Sequence, residues 1–150
     1  MKISRSKKTA SIIIVIVCLM ITGYILWSHH SVSKSAITSY VQNNKSDLEQ
    51  YVKEIATGAT SYTDVYNHWS VSYYPSSGMV EFLVSTSGFG SFGKYSGFYY
   101  SPEDIPMGYQ EQPLDLQEHA SGWQWNEPNG DNHYDTEKIV ANWYWFEMTF

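Results

Sequence analysis

The chain has 150 residues, 43% of them hydrophobic and 17% aromatic, and this length has room for one domain. Its charges are divided: Lys2, Arg5, Lys7 and Lys8 precede an apolar run, whereas all 15 acids lie beyond it, beginning with Asp47, beside five lysines. Five lysines against 15 acids leave the C-terminal part at −10, a charge that repels phosphate backbones and anionic lipid heads and argues against nucleic-acid binding.

The apolar run is Ile12 to Trp27 and holds no charge. Sixteen helical residues span roughly 24 Å, and Ala10, Ser11 and Ser28 extend this to about 28 Å, against a hydrocarbon core of about 30 Å. Four basic residues before it place the N-terminus in the cytoplasm, and Tyr24 and Trp27 stand where aromatic residues favour the outer interface. The expected layout is a basic cytoplasmic tail over 1–9, a transmembrane helix over 10–28, a linker over 29–34 and an extracytoplasmic domain over 35–150. A cleaved signal peptide has the same basic start. Against it stand the length of the run and Trp27, His29 and His30, which occupy the place of a small-residue cleavage site; Ser31-Val32-Ser33 suits one better. Both readings put the acidic domain outside the cell. Cys18, inside the run, is the one cysteine, so that domain carries no disulfide, as suits a bacterial surface.

From Ser35 to Thr57, apolar residues at Ile37, Tyr40, Val41, Leu48, Tyr51, Val52 and Ile55 follow helical spacing, and Gly58 is a natural C-cap. Asn43-Asn44 suggests a break, with a second helix beginning at Asp47. The period then changes to two. His68–Tyr74, the Pro75–Gly78 turn and Met79–Val84 predict a hairpin. A strand over Tyr95–Tyr100 follows, and residues 102–118 read as a long loop. Gly122–Trp125 and Asn142–Phe150 complete the set. In the last strand Tyr144, Phe146, Met148 and Phe150 share one face and Trp143 and Trp145 the other, the pattern of a strand covered on both sides. The expected fold class is α+β: after the transmembrane helix, an amphipathic helix packs on an antiparallel sheet of about five strands. The analogy to cystatin-like and NTF2-like folds is one of element order only.

Three constellations bear on chemistry. Gly88-Phe-Gly90-Ser-Phe-Gly93 fits G-x-G-x-x-G, but a phosphate-binding version must open a helix, and here a strand follows. The run reads as a hairpin connection presenting Phe89 and Phe92, a pair suited to a partner-binding loop. Next, Asp131, His133 and Asp135 alternate within the polar stretch Glu127–Glu137, so an extended backbone points all three to one side, as half of a divalent-metal site. An Asn129-Gly130 turn in a solvated loop accounts for the same residues. Third, Trp123/Trp125 and Trp143/Trp145 predict a cross-strand ladder on one face, a platform for a protein or a sugar ring. Burying enough apolar area in a small domain explains such aromatics equally well. There is no G-x-S-x-G, the cysteine lies in the membrane run, the histidines lack H-E-x-x-H spacing, and nothing sets a glycosidase separation for Glu103 and Asp104. No cofactor is implied.

Gly97-Phe-Tyr-Tyr-Ser-Pro-Glu-Asp-Ile-Pro106, Gly122 to Lys138 and Asn142-Trp-Tyr-Trp-Phe146 resemble a group of small single-pass surface proteins of low-GC Gram-positive bacteria. The likeness covers roughly the second half of the domain. It implies a bacterial surface protein, carries over no catalytic residue, and is consistent with a partner-binding or immunity role. The sequence therefore points to a membrane-anchored, extracytoplasmic, non-enzymatic domain that binds a protein partner. The alternatives are a cell-wall or carbohydrate-binding module and a small metal-dependent enzyme.

Overall fold

A computed structural model of the chain describes residues 15–17, 32–58, 65–89 and 92–150. Residues 15–17 are helical and expose Val15, Ile16 and Val17; the rest of the expected transmembrane segment lies outside the described residues. Among the described residues no helix is long and apolar enough to cross a membrane. Residues 32–150 form a unit of their own.

In that unit the Ser33 hydroxyl accepts the Ala36 N–H and starts helix α1, Lys34–Asn43, which buries Ile37 and Val41. The helical stretch breaks at the expected Asn43-Asn44, and the second helix starts at Lys45, two residues before Asp47. Asn44 leaves helical geometry (φ −118°, ψ 18°) and turns its amide back to the Tyr40 carbonyl at 2.8 Å. Helix α2, Lys45–Thr57, then buries Leu48, Val52 and Ile55 and ends at Gly58. That glycine has φ +67°, the left-handed cap that a Cβ disfavours.

Among the described residues the sheet has eight strands, all antiparallel, instead of about five. They are β1 Val65–Tyr66, β2 Trp69–Tyr74, β3 Met79–Phe89, β4 Phe92–Tyr100, β5 Gln117–His119, β6 Gly122–Asn126, β7 His133–Val140 and β8 Trp143–Thr149, in the order β1-β2-β3-β4-β8-β7-β6-β5. Two of the extra strands, β1 and β5, are two- and three-residue edges too short to show a period. The third, β7, occupies half of the polar stretch read as a loop. Its period of two is carried by Tyr134 and Thr136, both buried, between charged neighbours.

The alternation read in β8 holds, because this strand lies between β4 and β7 and is covered on both faces. On one side Val71, Val80, Phe82, Phe98, Trp143 and Trp145 pack with the helix residues. Phe82 and Phe98 stack there at 4.6 Å. On the other side Met79, Tyr99, Tyr134, Tyr144, Phe146 and Met148 gather with Tyr109 from the long connection.

That connection, the strap of residues 101–116, is forced by the strand order. It leaves β4 and must reach β5 beyond β8, β7 and β6, four inter-strand spacings or roughly 19 Å away. Its first half is pinned at two points. The Asp104 carboxylate accepts from Lys138 Nζ (2.5 Å) and from the Asn142 N–H (2.7 Å), while the Tyr144 hydroxyl donates to the Asp104 carbonyl (2.7 Å). Three residues on, the Met107 N–H donates to the Tyr99 hydroxyl (2.9 Å) and the Met107 carbonyl accepts from Tyr134 (2.8 Å).

The Lys138 hydrogen bond, followed by the Asn142 N–H, holds the Asp104 carboxyl below its ordinary value. A depressed folded value contributes stability above the unfolded value, near 3.9, and loses it as pH falls through the folded one. Asp104→Asn is therefore expected to flatten the acid limb of a melting-temperature profile between about pH 2 and pH 5. An unchanged acid limb removes Asp104 as the pin.

Candidate functional site

The helices cover the β2–β4 and β8 part of their face and the upper part of β7, so the polar residues of β6, lower β7 and lower β8 remain half-exposed on that side. Register places them in rows. Gln124 pairs with Asp135 and Asp135 with Glu147, while Asn126 pairs with His133. Asp135 and Glu147 are like charges directly opposite each other, an arrangement that opposes folding. Each has a nitrogen partner: His133 Nε2 lies 2.7 Å from Asp135, and the Lys94 ammonium lies 2.8 Å from Glu147.

One step up β7, Glu137 takes the ammonium of Lys34, the first residue of α1, at 2.5 Å, and the Ser121 hydroxyl donates to the same carboxylate oxygen at 2.5 Å. The ammonium also stands 4.6 Å from the centroid of the Trp145 ring. A carboxylate and an indole face together form a cradle for a cation. Partial burial pulls the Glu137 carboxyl upward, but the hydrogen bonds from Lys34 and Ser121 outweigh it and hold it below the ordinary value. The cradle opens into a pocket of about 270 Å³ that also meets His119 and Asp135.

At the far edge, β5 is shorter than β6 and ends its pairing at Gln124, leaving Trp125 and Asn126 beyond its start. There Asp115, Gln117, Gln124, Trp125, Asn126 and Pro128 line a cleft of about 320 Å³.

The residues singled out from sequence fall in different places. Trp143 and Trp145 lie in the core under the helices, whereas Trp123 and Trp125 lie half-buried on the strap side. No ladder forms, because β7 separates β6 from β8 and the two pairs point to opposite faces. The indole N–H groups of Trp143 and Trp145 are buried without an acceptor among the described residues. Phe92 stands at the tip of the β3–β4 hairpin, 71% exposed, in register with Phe89, whose side chain lies outside the described part. The glycine run thus joins two strands and opens no helix.

Of the metal triplet, His133 and Asp135 come together and Asp131 sits exposed in the preceding turn. The second ring nitrogen of His133 meets Asn126 Oδ1 at 2.6 Å, so both nitrogens are engaged within the protein. Among the described residues no three His, Cys, Asp or Glu side chains form a metal-binding group.

The sequence reading missed Glu81 and Lys34, and weighed Glu137 only as a residue that could complete the metal triplet, not as the partner of Lys34. Glu81 had a visible signal, a carboxylate inside Met79-Val-Glu-Phe-Leu-Val84. It is 3% exposed on the strap side, and its side chain accepts the Gln110 N–H at 2.9 Å. Nothing local marks Lys34 and Glu137, which are 103 positions apart.

No protein-family model matches the chain, and no curated protein or solved structure is significantly similar to it.

The tryptophans should separate by cost. Trp143→Ala, at a fully buried site, is expected to lower unfolding free energy by about 3–5 kcal/mol. Trp125→Ala, at a half-exposed one, should cost about 1 kcal/mol or less. Urea titrations giving equal losses contradict this division between core and surface indoles.

Proposed function

We propose that the chain is a non-enzymatic binding domain, held to a membrane by its N-terminal apolar run and facing the cell exterior, that takes a basic segment of a protein partner. The observation that carries this reading is the cation cradle: the chain's own Lys34 ammonium rests between Glu137 and Trp145. What that groove complements is therefore an ammonium group, and Asp135 and Glu147 continue the same acidic row along the sheet. The domain's −10 charge would draw such a segment in from a distance and make its capture dependent on salt. Lys34 is 42% and Glu137 29% exposed, so their pair is weak enough to exchange for a stronger, multivalent cation. The membrane anchor rests on the uncharged Ile12–Trp27 run and its basic flank, with residues 15–17 helical and apolar-exposed.

A second reading is favoured by the Trp125 cleft. An indole with planar amides and a carboxylate around it, and no cation in the lining, suits a neutral sugar ring, as in a cell-wall or carbohydrate-binding module.

Titration calorimetry of the full-length chain with an N-acetylated pentalysine peptide and with chitotriose separates the two. Pentalysine should bind at low salt, about two- to fivefold tighter to Lys34→Ala, which removes the resident competitor, and weaker by a similar factor to Glu137→Gln. Binding indifferent to both substitutions refutes the cradle. Chitotriose binding lost in Trp125→Ala would transfer the assignment to the sugar module.

A further inference from the structure

Beyond the cation groove, two irregularities coincide on the opposite face. Glu81, in the middle of β3, is a carboxylate buried in an aromatic layer. Among the described residues no cation pairs with it, and its partner is a neutral backbone donor, the Gln110 N–H at 2.9 Å. Gln110 belongs to the second half of the strap and has φ 53° and ψ 39°, and Glu111 after it has φ 59°. Two consecutive left-handed residues bearing a Cβ are disfavoured, and such strain persists only where the surroundings enforce it. Here the seat is shared: the Glu81 carboxyl accepts the Gln110 N–H, the Ser76 hydroxyl donates to Glu111, and the Tyr109 ring is buried against Phe146 and Phe150.

Across the ladder Glu81 stands opposite Ser72 of β2 and Tyr99 of β4, and phenols surround it further out. Tyr99 of β4, Tyr134 of β7 and Tyr109 of the strap couple to it, and Tyr74 of β2 and Tyr95 of β4 stand beside Tyr109. All three coupled phenols are themselves raised above their ordinary value, by burial first, so they stay neutral where Glu81 titrates. The strap's own carboxylate, Glu111, is turned away onto the Ser76 hydroxyl, at 2.7 and 2.8 Å. Asp115 is exposed, and Lys138 is held by Asp104 in the strap's first half. Among the described residues, the group shown to favour a negative charge at Glu81 is the Gln110 N–H.

We propose that residues 108–116 are a proton-gated flap, seated on the tyrosine face while Glu81 is neutral and released when Glu81 ionises. Asp104 and Met107 keep the first half in place, so Gly108 is the natural hinge: it has no Cβ, and one added there would lie 2.2 Å from the Gln112 carbonyl oxygen. Release would uncover Tyr109's position against Phe146 and admit water to Glu81.

Burial raises the Glu81 carboxyl from 4.5 to about 7, against the opposing Gln110 N–H. A raised folded value means that closure is favoured below the open-state value and is lost as pH rises through the closed-state one. The closed-to-open ratio should thus fall by about 300-fold in all, most of it between pH 4.5 and pH 7 and only about twofold above that.

The test is amide hydrogen exchange on the full-length chain from pH 5 to pH 8, expressed as protection factors. The Gln110 amide should lose protection steeply between pH 5 and pH 7 and level off towards pH 8 in the native chain, and stay flat in Glu81→Gln, whose amide oxygen can still accept the Gln110 N–H. Its protection should also lie below that of Phe98 in the sheet centre. Gln110→Gly removes Cβ strain without touching the carboxylate, and should raise protection about fivefold or more at each pH while keeping the slope. The flap is overturned by a flat native profile, by the same slope in Glu81→Gln, or by Gln110 protection equal to that of Phe98, which would mean opening only with the whole domain.

Discussion

The strand order sets a constraint that the rest of the domain obeys. Because β8 takes the place beside β4, the chain leaving β4 must travel past three strands before it can begin β5. A backbone crossing a sheet face cannot join the ladder, so its polar groups need other partners. The tyrosines supply them: Tyr99 and Tyr134 bracket Met107, and Tyr144 holds Asp104. A phenol suits this position because its ring fills the apolar layer while its hydroxyl reaches the strap. The aromatic richness of the second half of the chain thus follows from topology. Those rings are the underside of a crossing connection.

Covering the two faces with different materials has electrostatic consequences. On the helix side the carboxylates of β7 and β8 stay near water, and each finds a nitrogen partner in Lys34, His133 or Lys94. On the strap side Glu81 has water excluded from it and meets a single backbone donor. The same strap is also pinned by Asp104, whose carboxylate is stabilised in its charged form by Lys138. Its two halves therefore respond to protons in opposite senses. The Asp104 half is firmest where carboxylates are ionised, and the Glu81 half is firmest where Glu81 is neutral.

How much of this was legible in the sequence depended on the range of the signal. The α1–α2 stripe, the Gly58 cap, the β2–β3 hairpin and the two-faced β8 are written within a few residues, and each is present. Strand β7 was hidden because His133, Asp135 and Glu137 dominate its composition, though Tyr134 and Thr136 mark its buried side. The tryptophan ladder failed for a different reason. Alternation assigns each Trp to a face within its own strand, but the neighbour of that strand is decided by topology, and β7 intervened. Glu81 was readable as a charge inside an apolar run; that a strap would seal it was not. Lys34 and Glu137 carry no local mark at all, since what joins them is the docking of a helix on a strand 103 residues away.

The row Asp135–Glu147 bears on the proposal that the groove is a recognition surface and not ordinary solvated exterior. A surface selected for stability alone would not set two carboxylates directly opposite on neighbouring strands, because their repulsion opposes the pairing that β7 and β8 otherwise gain. Lys94 relieves that repulsion only partly, since its ammonium is half-exposed and screened. A sequence that breaks a local rule tends to do so where binding or chemistry needs it. Here the broken rule concentrates negative charge beside Trp145, where the chain has already set an ammonium of its own. A partner that brings several cations at once would satisfy Asp135, Glu147 and Glu137 together. It would gain from each the attraction that the single Lys34 supplies to one.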